Sequence, residues 1–197
     1  MNPHKITEEF EKAISVYTGS PFTIAVDSCS NAIFLCLAYL NGEETITIPS
    51  RTYPSIPCEI IHSGRKVIFE NIKWKGHYKL KPLPVWDSAL RFTSDMYMKG
   101  QYQCLSFTGP HKHLKLGKGG AILTDDYLAN KWFRRARFSG RRNISYNEDH
   151  FDMLGWNFWM MPEIAARGLN LIQSMEVNED VELFYPDLSN YEVYKSM

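Results

Sequence analysis

FTIAVDSCSNAIFLCLAYL, residues 22–40, is the stretch whose reading decides the fold. Phe22–Val26 is a short apolar, β-branched run of strand length. Asp27–Asn31 (DSCSN) is polar, and Ala32–Leu40 is a longer apolar run that reads as a buried helix. Strand, polar turn and helix follow one another without a spacer. Upstream, residues 7–19 (TEEFEKAISVYTG) place Phe10, Ala13, Ile14 and Tyr17 at helical spacing, with acids in the first turn and Gly19 as a stop. Downstream come a strand at 45–49 (TITIP), a helix through 57–64 (PCEIIHSG), and strands at 66–70 (KVIFE), 83–87 (LPVWD) and 103–107 (QCLSF). A last strand, 120–126 (GAILTDD), leads to a helix in 127–138, with Asp125 or Asp126 as its cap. This alternation predicts an α/β fold: three layers, α/β/α, around a mostly parallel mixed sheet. The expected domain is 1–172. Residues 173–197 turn acidic and aromatic and read as a tail docked either on the domain or on a partner.

The composition supports a packed domain and excludes several functions. Of 197 residues, 44% are hydrophobic and 14% aromatic, enough to build a core. Lys and Arg number 22, as do Asp and Glu, so no global field draws the chain to nucleic acid or to an anionic membrane. The longest apolar run, Ala32–Leu40, is far short of the roughly 20 residues of a membrane span. The start, MNPHKITEEFEK, has no apolar signal-peptide core. Cys29, Cys36, Cys58 and Cys104 show no CxxC spacing and sit in apolar stretches, which suits reduced thiols in the cytoplasm. His111 and His113 lack a third ligand nearby, so no metal site is expected. The basic run KWFRRARFSGRR (131–142) reads as a solvated helix face, with an anion contact from Arg141 or Arg142 as the lesser option.

In sheets of this class ligands sit at the carboxyl ends of the strands, so the residues just after each strand matter most. Ser28 and Ser30 fall where a helix begins, which suits a phosphate or a plain helix cap. Tyr53, between prolines after the second strand, could stack on a flat ring or simply pack. Asp87 follows an apolar strand, where a carboxylate either caps a helix or faces a cationic heteroatom. Ser106 precedes the lysine loop 107–119, a solvated turn or the site of a Schiff-base lysine. Taken in this order they amount to a phosphate cradle, a stacking aromatic, an acid for a ring nitrogen and an amine. Pyridoxal 5′-phosphate requires these parts.

The same residues carry a family resemblance. VDSCSNAI, IPSRTYPS, VWDSAL, LSF, KHLKLGKGGAILTDD, RARFSG and GWNFWMMPEIAARG resemble, in order and spacing, segments of the DegT/StrS-type nucleotide-sugar aminotransferases. The likeness runs from Phe10 to about Ile172. It implies the large domain of a PLP-dependent transferase, with most of the small C-terminal domain replaced by the tail. It further implies that Lys112 holds the cofactor as a Schiff base and that Asp87 keeps the ring nitrogen protonated. Tyr53 would stack on the ring. Ser28, Cys29, Ser30, Asn31 and Ser106 would surround the phosphate, and Asn157 would reach the phosphate in the partner subunit of a homodimer with shared active sites. The implied reaction moves an amino group, with glutamate as donor, to a keto sugar nucleotide in amino sugar biosynthesis. This sequence departs from the pattern at Cys29 (glycine in the family), Leu90, Trp159 and Lys118. Counting from Ser106 puts His111 at the lysine position, whereas counting back from Gly119 and Gly120 puts Lys112 there. Lys112 is the preferred reading, since its register runs unbroken into the next strand. Lys115 and Lys118 read as solvated turn residues. A PLP-dependent sugar dehydratase using His111, and a reduced non-catalytic homologue that binds PLP or a protein, remain as alternatives.

Overall fold

A computed structural model describes residues 4–175 and 178–194. The chain runs α1 (His4–Thr18), β1 (Phe22–Val26), α2 (Cys29–Leu40), β2 (Ile46–Pro49), α3 (Ser55–His62), β3 (Val67–Glu70), β4 (Tyr78–Leu80) and β5 (Val85–Asp87). It continues with β6 (Tyr102–Ser106), β7 (Gly120–Thr124), α4 (Tyr127–Ala136) and α5 (Pro162–Ile172). Gly19 does end α1, with a positive φ of 74° that a glycine adopts without strain. Asp126 is the residue that caps α4, accepting from the amides of Leu128 (2.8 Å) and Ala129 (3.0 Å). Helix α2 starts at Cys29, three residues before its apolar run, because Ser28 supplies the cap. Strand β4 and helix α5 are additions to the expected elements.

Five strands form one sheet in the order β1-β7-β6-β5-β4, and β2 pairs with β3. Reciprocal backbone bonds between Thr47 and Lys81 (2.8 and 3.1 Å) join β2 to the end of β4. The side-chain alternation of the strands divides the core into two layers. Ile24, Val26, Cys104 and Ile122 face α2, α3 and α4 on one side. Ala25, Leu105, Ala121 and Leu123 face α1 and α5 on the other. The α/β class, the three layers and the mixed sheet stand as expected, but parallel pairing has a smaller share than "mostly parallel" implies. Only β5–β6 and β2–β3 are parallel. The pairs β1–β7, β6–β7 and β4–β5 are antiparallel. The link 81–84 is too short for a parallel crossover, and the loop 107–119 closes on itself at its base, the Phe107 amide bonding the Gly119 carbonyl (2.9 Å), so that β7 returns antiparallel to β6.

The arginine run is not a plain solvated face either. Arg134 and Arg137 both reach the carboxylate of Glu11, which is 3% exposed. Arg142 bonds Asp149 and Asp152, and Arg135 also bonds Asp152. The tail folds back onto the domain. Val181 is bonded through its backbone to Gly76 (3.1 Å) and Leu90 (2.9 Å), and the Leu188 amide donates to the Ser50 carbonyl (2.8 Å).

Candidate active site

The carboxyl ends of β1, β5 and β6 open on one cavity of about 630 Å³, a volume ordinary for a small-molecule site. Eight of the nine expected site residues line it: Ser28, Cys29, Ser30, Asn31, Tyr53, Asp87, Ser106 and Lys112. They come from separate elements, so the fold and not the local sequence brings them together.

One wall is the start of α2. An α-helix leaves its first amides without intrahelical acceptors and presents the positive end of its dipole there. Ser28 caps the helix by accepting from the Asn31 amide (3.2 Å), and Asn31 donates its side-chain NH₂ to Asp27 (2.7 Å). The Ser30 hydroxyl lies 2.6 Å from that of Ser55. Ser106 approaches from β6 and accepts weakly from the Thr108 amide (3.4 Å). Hydroxyls and amides thus converge on one end of the cavity, a donor set suited to a phosphate dianion. Cys29 fits where the family pattern has glycine because its backbone is not in the left-handed region. Its thiol points into the protein, 3.4 Å from the Cys104 carbonyl, and burial followed by the nearby Asp87 charge keeps it protonated.

Asp87 forms the floor. It is 2% exposed, accepts from the Ala89 amide (2.9 Å), and has its pKa raised by burial against the opposing pull of that amide, Lys112 and Tyr78. A buried acid held in this way gains from a facing cation. Lys112 comes from the loop and donates from Nζ to the Ala89 carbonyl (2.7 Å), two residues beyond Asp87. Burial lowers its pKa below 10.5, with Cys29 and Asp87 pulling the other way. A desolvated amine of this kind is closer to its neutral, nucleophilic form than a surface lysine. Tyr53 stands at the rim, 57% exposed.

Several lining residues have no counterpart in the expected set. Thr52, Ser55, Trp74 and Thr108 line the cavity, and Leu183 and Tyr185 reach it from the tail. His111 and Lys118 line it too; Lys118 is exposed in a bend, as expected of a solvated turn residue, and its side chain borders the cavity. Thr108 could have been found as the second hydroxyl after β6. No local signal marks Trp74 or Tyr185. Asn157 is the one expected residue outside this cavity. It lines a smaller space of about 300 Å³ beside Asp27, Trp159 and Ile164, and Lys118 borders both spaces. Among the described residues, no group of three or more His, Cys, Asp or Glu is arranged to hold a metal ion, and no helix is long and apolar enough to cross a membrane.

A sequence model of the DegT/DnrJ/EryC1/StrS aminotransferase family matches residues 2–85 and 97–180. The chain belongs to this family. Over 68 residues it is 37% identical to the spore coat polysaccharide biosynthesis protein SpsC of Bacillus subtilis, a match covering 33% of this chain and 17% of SpsC. The crystal structure of AtS13 from Actinomadura melliaura superposes with a TM-score of 0.74 at 18% identity, covering 86% of this chain and 60% of AtS13. Spr1654 from Streptococcus pneumoniae, in its PLP form, gives a TM-score of 0.71 at 18% identity, over 86% of this chain and 59% of that one. The chain therefore shares the fold of the two solved structures while spanning about three-fifths of their length.

Proposed function

We propose that the cavity binds pyridoxal 5′-phosphate and that the chain is the cofactor-binding part of an aminotransferase acting on a keto sugar nucleotide, with glutamate as amino donor. The observation that carries this reading is the meeting, in one cavity, of a desolvated lysine, a buried acid and a helix N-terminus rimmed with hydroxyls. The solved relative in its PLP form and the polysaccharide role named for SpsC support the same chemistry. When bound, the cofactor supplies an electron sink for negative charge at the carbon that gains or loses the amino group.

The chain's own residues would act as follows. The amides of Cys29, Ser30 and Asn31, with the hydroxyls of Ser28, Ser30 and Ser106, bind the phosphate and fix the register of the ring. Asp87 holds a proton on the ring nitrogen; the cation so formed relieves the cost of its own burial. Tyr53 covers one face of the ring. Lys112 anchors the cofactor and, once its amine is neutral, moves a proton at the α-carbon of the donor. Asn157 lines the neighbouring smaller space and not this cavity, and its role would be toward the second subunit of a cytoplasmic homodimer.

The test is to add PLP to the purified protein, record the visible spectrum with and without borohydride, and map the modified peptide. An adduct on Lys112, followed by conversion to the pyridoxamine form with glutamate, supports the reading. One observation favours a second reading: His111 lines the same cavity. Binding with no reducible adduct points to a dehydratase with His111 as base. An adduct that glutamate leaves unchanged points to a reduced, non-catalytic homologue. Absence of binding overturns both enzyme readings.

A further inference from the structure

The tail segment 178–188 crosses the mouth of the cavity as an extended strap. Its residues alternate: Val181, Leu183 and Tyr185 are half-buried, while Glu182, Phe184 and Pro186 are exposed. An extended chain that buries every second side chain is seated on a surface along its length. It is fastened at both ends. At one end Asp180 receives a two-pronged contact from Arg91, with Nε to Oδ1 at 2.7 Å and a shorter Nη2 to Oδ2 bond. His77 lies 2.6 Å from the same guanidinium and is kept neutral, its pKa lowered to about 4 by burial and by Arg91. At the other end Arg51 pairs with Asp187 (3.6 Å) and donates to the Tyr185 carbonyl (3.4 Å).

Between these clasps, Tyr185 is held by rings. Trp74 lies nearly parallel to it, 11° between planes and 6.0 Å between centroids, and Tyr53 meets it edge-on at 6.4 Å. Trp74 is fixed in turn by its indole N–H, which donates to the Arg51 carbonyl (2.8 Å). The Tyr185 hydroxyl has its pKa raised to about 12, by burial first and then by the charge of Asp87. The half-buried Tyr185 lines the same cavity as Asp87.

We propose that Tyr185, delivered by the strap and backed by Trp74, is a positioning residue that covers the cofactor ring above Asp87 and shuts water out of the cavity. This rests on the PLP reading given above. Tyr53 stands exposed at the rim. The strap supplies a second aromatic wall from within the same chain.

The experiment is a titration of PLP into the full chain, read by quenching of tryptophan emission and by hydrogen exchange over 178–188. Tyr185→Phe should bind within a few-fold of the native chain, and Tyr185→Ala should bind roughly tenfold or more weakly, the loss expected for an aromatic contact. Asp180→Ala, which opens one clasp without touching the cavity, should weaken binding in the same direction. Bound PLP should slow exchange at the Val181 and Leu188 amides. If the native chain binds PLP but Tyr185→Ala binds equally well, or exchange in the strap is unchanged, the proposal fails while the cofactor reading stands. Tighter binding by Asp180→Ala would also overturn it, since the strap would then be an obstruction. If neither the native chain nor any variant binds, the cofactor reading itself is at fault.

Discussion

Replacing Glu11 with glutamine should unfasten the layer that positions the α2 end of the cavity. Glu11 sits on α1, 3% exposed, and serves three partners at once. Oε1 accepts from the Ala25 amide (2.9 Å) and from Arg137, and Oε2 accepts from Arg134 at 2.7 Å. Ala25 lies in β1, whose end carries Ser28 into the cavity. Burial alone would raise the Glu11 pKa, but Arg137, Arg134 and the Ala25 amide outweigh it and bring the value below 4.5. Glu11→Gln keeps the shape, leaves two guanidinium groups facing a neutral amide and turns one acceptor into a donor. Breaking a buried pair in this way costs about 3–5 kcal/mol. Arg134 is 37% exposed and can rehydrate, so the lower half of that range applies. At roughly 2–4 °C per kcal/mol for a chain of this size, the midpoint of thermal unfolding should fall by about 6–16 °C at pH 7. Because the folded pKa is depressed, the stabilisation is fully present above 4.5 and fades as pH falls through the folded value. The gap between native and variant melting temperatures should therefore narrow in acid. Calorimetry at pH 7 and pH 3 checks both points. A shift under about 2 °C at pH 7, or a gap that widens in acid, would refute the reasoning.

Three further outcomes bear on the cavity directly. Gly120→Ala places a Cβ 2.5 Å from the Cys29 nitrogen and the Ser28 carbonyl carbon and 2.7 Å from the Leu105 carbonyl oxygen, all backbone. It should cost about 1–3 kcal/mol in a denaturant melt and weaken PLP binding as well; an unchanged pair of values contradicts the packing described. Ser28→Ala removes the α2 cap and should cost about 1 kcal/mol, whereas Ser28→Asp should keep the cap yet repel a phosphate, so that stability and PLP affinity part company. Formation of a borohydride-reducible adduct should rise with pH through a midpoint below the ordinary lysine value of 10.5, since burial favours the neutral Lys112 amine. Asp87→Asn removes a charge that raises that pKa, so the midpoint should move lower still; an upward move counts against the assignment.

What could be read from the sequence was what short-range physics encodes. Residues 22–40 gave strand, turn and helix because period, cap and apolar run all lie within one window. The positions of Ser28, Asp87, Ser106 and Lys112 followed because strand ends of an α/β sheet gather on one side, so local assignments fixed a distant meeting. The misreadings involve partners far apart in sequence. Arg134 and Arg137 look like a solvated basic face until Glu11, more than a hundred residues earlier, is placed beneath them. The antiparallel return of β7 depends on how the loop 107–119 closes at its base, and an apolar strand looks alike in either direction. Nothing near Tyr185 announces a binding wall, because what holds it (Arg51, Trp74 and Arg91) comes from three earlier segments.

The open choice between His111 and Lys112 shows how structure bears on such a problem. Both residues line the cavity, so proximity does not separate them. Their surroundings do. His111 is exposed, whereas Lys112 is half-buried, hydrogen-bonded to the Ala89 carbonyl and electrostatically tied to Asp87. An amine becomes reactive by losing water and gaining a fixed geometry, and Lys112 has both. The loop 107–119 produces this difference by tethering its far end to β6, through the Leu116 amide on the Phe107 carbonyl (3.0 Å) and the Phe107 amide on Gly119 (2.9 Å). Closed at its base in this way, the loop holds Lys112 against the Ala89 carbonyl, two residues beyond Asp87.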